Sequence, residues 1–488
     1  MKNKIKYIII ALTLMLQTGC NDWVELMPPN GLVREEFWQS KEDVEAMLMG
    51  AYSALSSLDN LFFIHGEARG DMVDDDTNLS GNIRDMMNGN IYPDNWYANW
   101  QDFYTVINYA NEIIANAPGV QSVDDTFTDY QLQGFLAEAY FIRSLTYFYL
   151  VRIYNEVPYV TEPSETDESF FYPEKSSAEN VLNSISEDLR NNRQYLSSDF
   201  ISIRQIKGRA SKAACNALLA DIALWQFEYE KVIEYVQEIE MDEFSKLVSA
   251  DMWFYMFYPG NSNESIFELQ FDERQSQRNS TYGMTNYDSH NFLASNKAIE
   301  MFSLQFADEP FRGQGATVSK ENETTYTIWK YVGLSPDGVT TRPSNISNTA
   351  NWIVYRHADV LLMKAEALSQ LERFEEALSI LNRVRDRAGV NAISLPNSAT
   401  AYEDAILNER ALELAYEGKR WFDLVRMGRR NDYARSSNLV NMIIENVPAT
   451  QKRVLGSKLT NPMGWYMPIY EDELERNKYL EQNPYYLR

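Results

Sequence analysis

The stretch Arg356-His357-Ala358-Asp359-Val360-Leu361-Leu362-Met363-Lys364-Ala365-Glu366-Ala367 decides the architecture of this chain. It opens a series of helical segments at 357–371, 373–388, 401–416 and 418–429. Between Leu361 and Val384 the pattern is that of a tetratricopeptide-like pair: small Ala365 and Ala367, a short turn, Phe374, then Ala377. Ala217 to Ile239 repeats that shape at an offset of 145 residues, with Tyr229 in the place of Phe374 and Val232 in the place of Ala377. Helix pairs of this kind stack on neighbouring pairs to bury their apolar faces.

Outward from these pairs, helices are expected at 41–58, at 100–117 with a stop at Pro118-Gly119, at 130–154, at 178–196, at 208–226 and at 229–239. Residues 59–99 are rich in Asp, Asn and Gly and read as a long loop region. Ser265 to Phe271 alternates as a strand does, with Phe267, Leu269 and Phe271 on one face. From 272 to 351 the chain is rich in Asn, Ser, Thr and Gly, with helical periodicity only near 294–306 and a short strand suggested at 326–331. Its scattered aromatics argue for an ordered, functional insert rather than a disordered one. The C-terminal helical part covers about 352–488.

Lys2, Lys4 and Lys6 precede a ten-residue apolar run, Tyr7 to Leu16, too short to span a bilayer. This is a secretory signal. It ends Leu16-Gln17-Thr18-Gly19-Cys20, which is similar to a bacterial lipobox, with Gln17 a departure from the usual aliphatic residue. Residues 1–19 are then the signal peptide, 20–39 a lipidated tether starting at Cys20, and 40–488 one domain. A lipidated Cys20 leaves Cys215 without an intrachain partner, as an inert core thiol. The mature chain is anchored to a membrane rather than threaded through it.

The chain has 488 residues and a net charge of −26, so nucleic acid and anionic membrane surfaces are poor partners. Two Cys and three His leave little room for a disulfide framework or a thiolate metal site. No phosphate loop, nucleophile elbow or His-Glu-x-x-His spacing is present. Gly313-Gln314-Gly315 is a turn, and His65, His290 and His357 are read as structural. Two carboxylates suffice for glycoside hydrolysis, but with 70 acidic residues a pair can always be chosen. No enzyme and no cofactor are expected. Calcium is the one metal the pattern raises: Asp74, Asp76 and Asn78 alternate like the opening of a calcium loop. Leu79 stands where that loop needs glycine and Asp85 where it needs glutamate, so a solvated acidic turn, or acceptors for sugar hydroxyls, is the competing reading.

Blocks spread along the chain resemble the SusD/RagB family of Bacteroidetes outer-membrane lipoproteins. They are Cys20, Pro28, Phe37-Trp38 and Gly50-Ala51-Tyr52; Trp100, Tyr104, Ile107, Asn111 and Ile114; and Glu138 to Arg143 with Tyr147-Phe148 and Val157-Pro158. They continue with Gly208-Arg209-Ala210, Asn263 to Phe267, Arg356 to Ala367, Asn382 to Arg385, Glu413 to Leu424 and the ending Gln482-Asn483-Pro484. Leu136-Ala137 and Trp23 depart from the family pattern. The resemblance implies a mainly α, SusD-like fold with tetratricopeptide-like helix pairs as scaffold and a loop-rich insert with a few short strands. It implies a lipid-anchored protein exposed on the outer membrane. Such a protein binds oligo- or polysaccharide and acts as the lid of a SusC-like TonB-dependent transporter. A surface glycoside hydrolase, or a lid that binds peptides or protein partners, is the alternative.

Sugar rings stack on Trp and Tyr, while their hydroxyls bond Asp, Asn and Arg. The exposed candidates are aromatics in polar loops, placed as the family places its own: Trp96 and Tyr97, Tyr282 and Tyr287, Trp329 and Tyr331. Arg84, Asp74 and Asn95 are their polar partners. Trp100, Tyr104, Trp421 and Phe422 are core residues, and Trp253 to Tyr258 packs beneath the insert.

Overall fold

A computed structural model describes residues 37–164, 172–197, 200–275, 277–285, 290–305, 312–331, 333–335, 337, 339–342, 349–445 and 447–487. Cys20, the tether up to residue 36 and Tyr287 lie outside the described residues.

The amino-terminal helices are α1 (Lys41–Ser56), α2 (Asp59–Glu67), α3 (Gly81–Met87), α4 (Gln101–Gln121), α5 (Asp129–Tyr154) and α6 (Ala178–Asn192). Two begin with a capping box: Ser40 with Asp43 at α1, and Thr128 with Gln131 at α5. Helix α5 is buried along most of its length and packs against α1, α4 and α6. Then come α7 (Lys212–Trp225), α8 (Tyr229–Met241), α9 (His357–Gln370), α10 (Phe374–Arg387), α11 (Ala399–Glu413) and α12 (Arg420–Tyr433).

The two repeated helix pairs, α7–α8 and α9–α10, lie side by side through α8 and α9. Their likeness reaches the backbone. Phe227 and Glu372, also 145 residues apart, both take positive φ, at 64° and 58°. Each is the left-handed residue that reverses the chain between the helices of its pair. Val232 and Ala377 are fully buried where the second helix of each pair meets its neighbours.

Three expectations need correction. Residues 59–99 are not one long loop; they hold α2, a strand, α3 and a short 3-10 turn. Helix α2 (Asp-Asn-Leu-Phe-Phe-Ile-His-Gly-Glu) is buried on nearly every side, so no amphipathic stripe announces it. Helix α4 runs through Pro118 to Gln121, because a proline in the last turn removes only one hydrogen bond. The C-terminal helical part expected from about 352 opens instead on a strand, Trp352–Arg356, with all five residues buried, which leads directly into the helix at 357.

Besides a two-residue antiparallel pair, Val157–Pro158 with Lys175–Ser176, the strands are β1 (Val73–Asp75), β2 (Ser265–Leu269), β3 (Phe292–Ala294), β4 (Val318–Lys320), β5 (Tyr326–Ile328) and β6 (Trp352–Arg356). β2 and β6 pair antiparallel inside the core. The others form one sheet in the order β1-β3-β5-β4, again antiparallel throughout. This sheet joins the amino-terminal quarter of the chain to the central insert.

The insert is fastened beneath by buried charge. Arg356 places Nη1 2.7 Å from both Glu264 and Glu413 and Nε 2.8 Å from Glu417. Arg312 reaches Glu409 and Glu413, Lys330 reaches Glu417, and Arg387 joins Glu264 to Glu413. Trp253 lies under the Lys330, Arg356 and Arg387 cations, at 5.3 to 5.9 Å. Four cations matched to four carboxylates make such burial tolerable.

Candidate functional site

Strand β1 turns Val73 into the core and leaves Asp74 and Asp75 exposed. Ser80 caps α3, on which Arg84 reaches back: its Nε lies 2.8 Å from Asp75 Oδ2, and its Nη2 donates to the Asp76 carbonyl. The Asp76 amide donates to the Asn291 carbonyl, and the Asn291 side chain donates to the Asn78 carbonyl. The acidic run is therefore laced to the insert. Asp74 and Asp75 belong to a sheet edge rather than to a loop wrapped round a cation. Among the described residues no group of three or more His, Cys, Asp or Glu is placed to hold a metal ion.

Trp96 stands 60% exposed on a 3-10 turn, and Tyr92 before it is 61% exposed. The turn is held from two sides. Asn95 Nδ2 donates 2.9 Å to the Asn82 carbonyl in α3, and the Pro93 carbonyl accepts from the Glu471 amide. Asn95 itself is buried, and its Oδ1 caps the Tyr97 amide at 3.0 Å. Asn95 is thus a structural cap and leaves the set of ligand contacts. Tyr97 is half-buried and hydrogen-bonds Ser80. A projecting indole on an anchored turn loses little freedom when a ring stacks on it.

Trp329 follows β5 and is half-buried; its amide donates 2.8 Å to the Thr317 carbonyl. The indole lies on Gly333, where a Cβ would come within 2.1 Å of it. Tyr331 departs from the expectation. It is 1% exposed and stacks on Trp352, with centroids 5.5 Å apart and planes 18° from parallel. A ring sandwiched in the core cannot present a face to a ligand. Tyr282, half-buried, sits on the short helix Ser280–Thr285, whose first amide donates to Asp59 Oδ2 at 2.6 Å. Burial pushes the Asp59 carboxyl up to about 6, against several hydrogen bonds that favour its charged form.

The structure thus ties Asp74, Arg84, Trp96 and Tyr97 into one unit and connects it, through the sheet, to β5, the strand that Trp329 follows. Two further features lie outside the expected set. Tyr92 is one, although an exposed aromatic before a proline in a polar loop is itself a signal. His290 is the other. It is placed between two carboxylates, with Nδ1 3.2 Å from Asp76 Oδ2 and Nε2 3.2 Å from Glu321 Oε2. A separate groove of about 1050 Å³ runs along α4, lined by Trp38, Trp100, Tyr104, Tyr109, Glu473 and Arg476 among others.

Comparison with known proteins gives a consistent picture. A family model described as the SusD family matches residues 269–486, and one described as starch-binding associating with outer membrane matches residues 22–224. The chain is 27% identical over 480 residues to SusD-like protein P38 of Formosa agariphila, covering 87% of this chain and 92% of that one. It is 23% identical to a SusD-like protein of Bacteroides ovatus, covering 86% and 82%. The fold is similar to a crystal structure of a SusD superfamily protein from Bacteroides vulgatus, with a TM-score of 0.77 at 19% identity, covering 92% and 100%. It is also similar to a laminarin-binding SusD-like protein, with a TM-score of 0.71 at 23% identity, covering 91% and 99%.

Proposed function

The chain is a SusD-like protein, and from that premise we propose that it is a non-catalytic glycan receptor of the outer membrane. Lipid on Cys20 holds it at the cell surface, where it captures oligo- or polysaccharide and passes it to a SusC-like TonB-dependent transporter as that transporter's lid. The observation that carries the binding reading is the exposed Trp96 on a turn anchored to α3, the helix that carries Arg84, and to the carboxy-terminal segment. An exposed apolar ring face, with carboxylate and guanidinium groups on the elements its turn is anchored to, is the chemistry that a sugar's C–H face and hydroxyls require. The starch-binding description of the matching family model and the laminarin-binding structural neighbour favour glycan over peptide. Tethering beside the transporter raises the effective concentration of lid over channel, so the two can separate and re-engage.

Affinity electrophoresis against starch, laminarin, mannan and pectin, with Trp96→Ala in parallel, tests the reading. Retardation by one glycan that the variant loses supports it. Absence of retardation by any of them, or release of reducing sugar during the run, overturns it. Copurification of a TonB-dependent transporter from native membranes tests the lid role separately.

A further inference from the structure

We propose that His290 is a proton-operated clasp that sets the geometry of this face and, resting on the binding reading above, its affinity for glycan. Three segments meet at the ring. Asp76 lies in the connection from β1 to α3, His290 comes just before β3, and Glu321 begins the turn of the β4–β5 hairpin. The His290 side chain is 12% exposed, and those of Asp76 and Glu321 are 21% and 26% exposed. Both carboxylates are therefore partly withdrawn from water.

A neutral imidazole carries one N–H. Nε2 is within hydrogen-bond reach of Glu321, while Nδ1 faces Asp76 without hydrogen-bond alignment. The neutral ring that donates to Glu321 therefore turns its bare nitrogen toward the Asp76 carboxylate. The imidazolium attracts both. Proton uptake draws the hairpin to the β1 edge, and proton loss releases one of the two contacts. The surrounding charges do not substitute for it. Arg84 is engaged by Asp75 and by the Asp76 backbone, Lys320 lies over the Tyr326 ring at 6.0 Å, and Asp74 and Glu323 are exposed carboxylates. Among the described residues, His290 is the one cationic partner of either Asp76 or Glu321.

The other two histidines of the chain are excluded as sources of such an effect. Burial pushes His65 and His357 down to about 3, so both stay neutral through the physiological range. Asp59, up at about 6, holds Ser280 nearby, so a variant and not pH alone must identify the group.

The test is hydrogen–deuterium exchange of the full chain over residues 317–329 at pH 5.5 and pH 8.0, corrected for intrinsic rates, with laminarin and starch retardation at the same two pH values. Two part-exposed ion pairs predict protection about threefold or more greater at pH 5.5. His290→Gln and Glu321→Gln each remove that step, with exchange at both pH values equal to the wild type at pH 8.0. A step that persists in His290→Gln overturns the clasp, as does its absence in the wild type. A hairpin step with retardation that pH does not move overturns the link to affinity. A His290-dependent step with no retardation by laminarin, starch, mannan or pectin leaves the clasp standing and removes the glycan reading instead.

Discussion

A Cβ placed on Gly66 would lie 2.0 Å from the carbonyl oxygen of Gly418, so the two backbones cross with no side chain between them. Gly418 takes φ of +72°, a conformation that glycine alone adopts without strain. The crossing seats α2 against the loop before α12 and fixes the start of β1 a few residues later.

Gly66→Ala is therefore expected to destabilise the protein by about 3 kcal/mol or more, since the obstacle is backbone on both sides. Chemical denaturation measures it. A loss below about 1 kcal/mol would mean that the crossing opens easily.

Beside this crossing, Glu67 Oε1 accepts from the Gly418 and Lys419 amides, at 2.8 and 3.1 Å, and burial pushes its carboxyl up to about 8. The folded state thus holds a proton that the unfolded state releases near pH 4.5. Its destabilising effect is absent below that value, grows as pH rises, and is complete above about 8. Glu67→Gln keeps the acceptor without the charge. Between about pH 5 and pH 8 the variant gains on the wild type, by at most about 1.4 kcal/mol per pH unit. Urea midpoints across that range read the difference, and a gap that narrows with pH contradicts the assignment.

Trp96 and Tyr331 should separate binding from stability. Trp96→Ala removes an exposed ring and is expected to shift stability by under about 0.5 kcal/mol. It should weaken glycan binding about tenfold, the upper end for one stacking ring. Tyr331→Ala empties a core site and costs about 3 kcal/mol or more. Thermal melts and affinity gels on the same two variants make the comparison. Normal stability in the Tyr331→Ala variant would return that residue to the ligand face.

Glu413 accepts from Arg312, Arg356 and Arg387, which hold its carboxyl well below the usual carboxylate range although burial alone would raise it. Glu413→Gln leaves three buried guanidinium groups short of one charge and is expected to cost about 3–5 kcal/mol. Trypsin digestion of the insert should quicken together with the fall in urea midpoint, because Arg312 belongs to it. Unchanged insert proteolysis in a destabilised variant would show that the network does not fasten it.

The helical pairs were legible because each shows one apolar face with a turn at a fixed offset. Helix α2 and strand β6 were not, because residues buried on all sides carry no period. At the site, exposure of Trp96 followed from an aromatic set in a polar turn. The error at Tyr331 has a simple geometry: the chain leaves β5 after Ile328, and its next rings divide between the Gly333 turn and the core. Asn95 was the right residue type in the wrong role, since asparagine caps a turn with the same amide that could bind a sugar. His290 could not be assigned because Asp76 lies 214 positions upstream of it and Glu321 lies beyond β3 and β4.

The sheet that gathers this face also sets its timetable. Ser295 Oγ donates to the Asp71 carbonyl across 224 positions, and β1 has no sheet partner until β3 is made. At about 5–20 residues per second, synthesis leaves β1 unpaired for roughly 10–45 s. An open strand edge of that duration invites pairing with other chains. Asp74 and Asp75 occupy two of its three positions, and charge on an edge strand is a known guard against aggregation. The carboxylates proposed above to meet sugar hydroxyls thus also keep the open edge charged while the chain is unfinished.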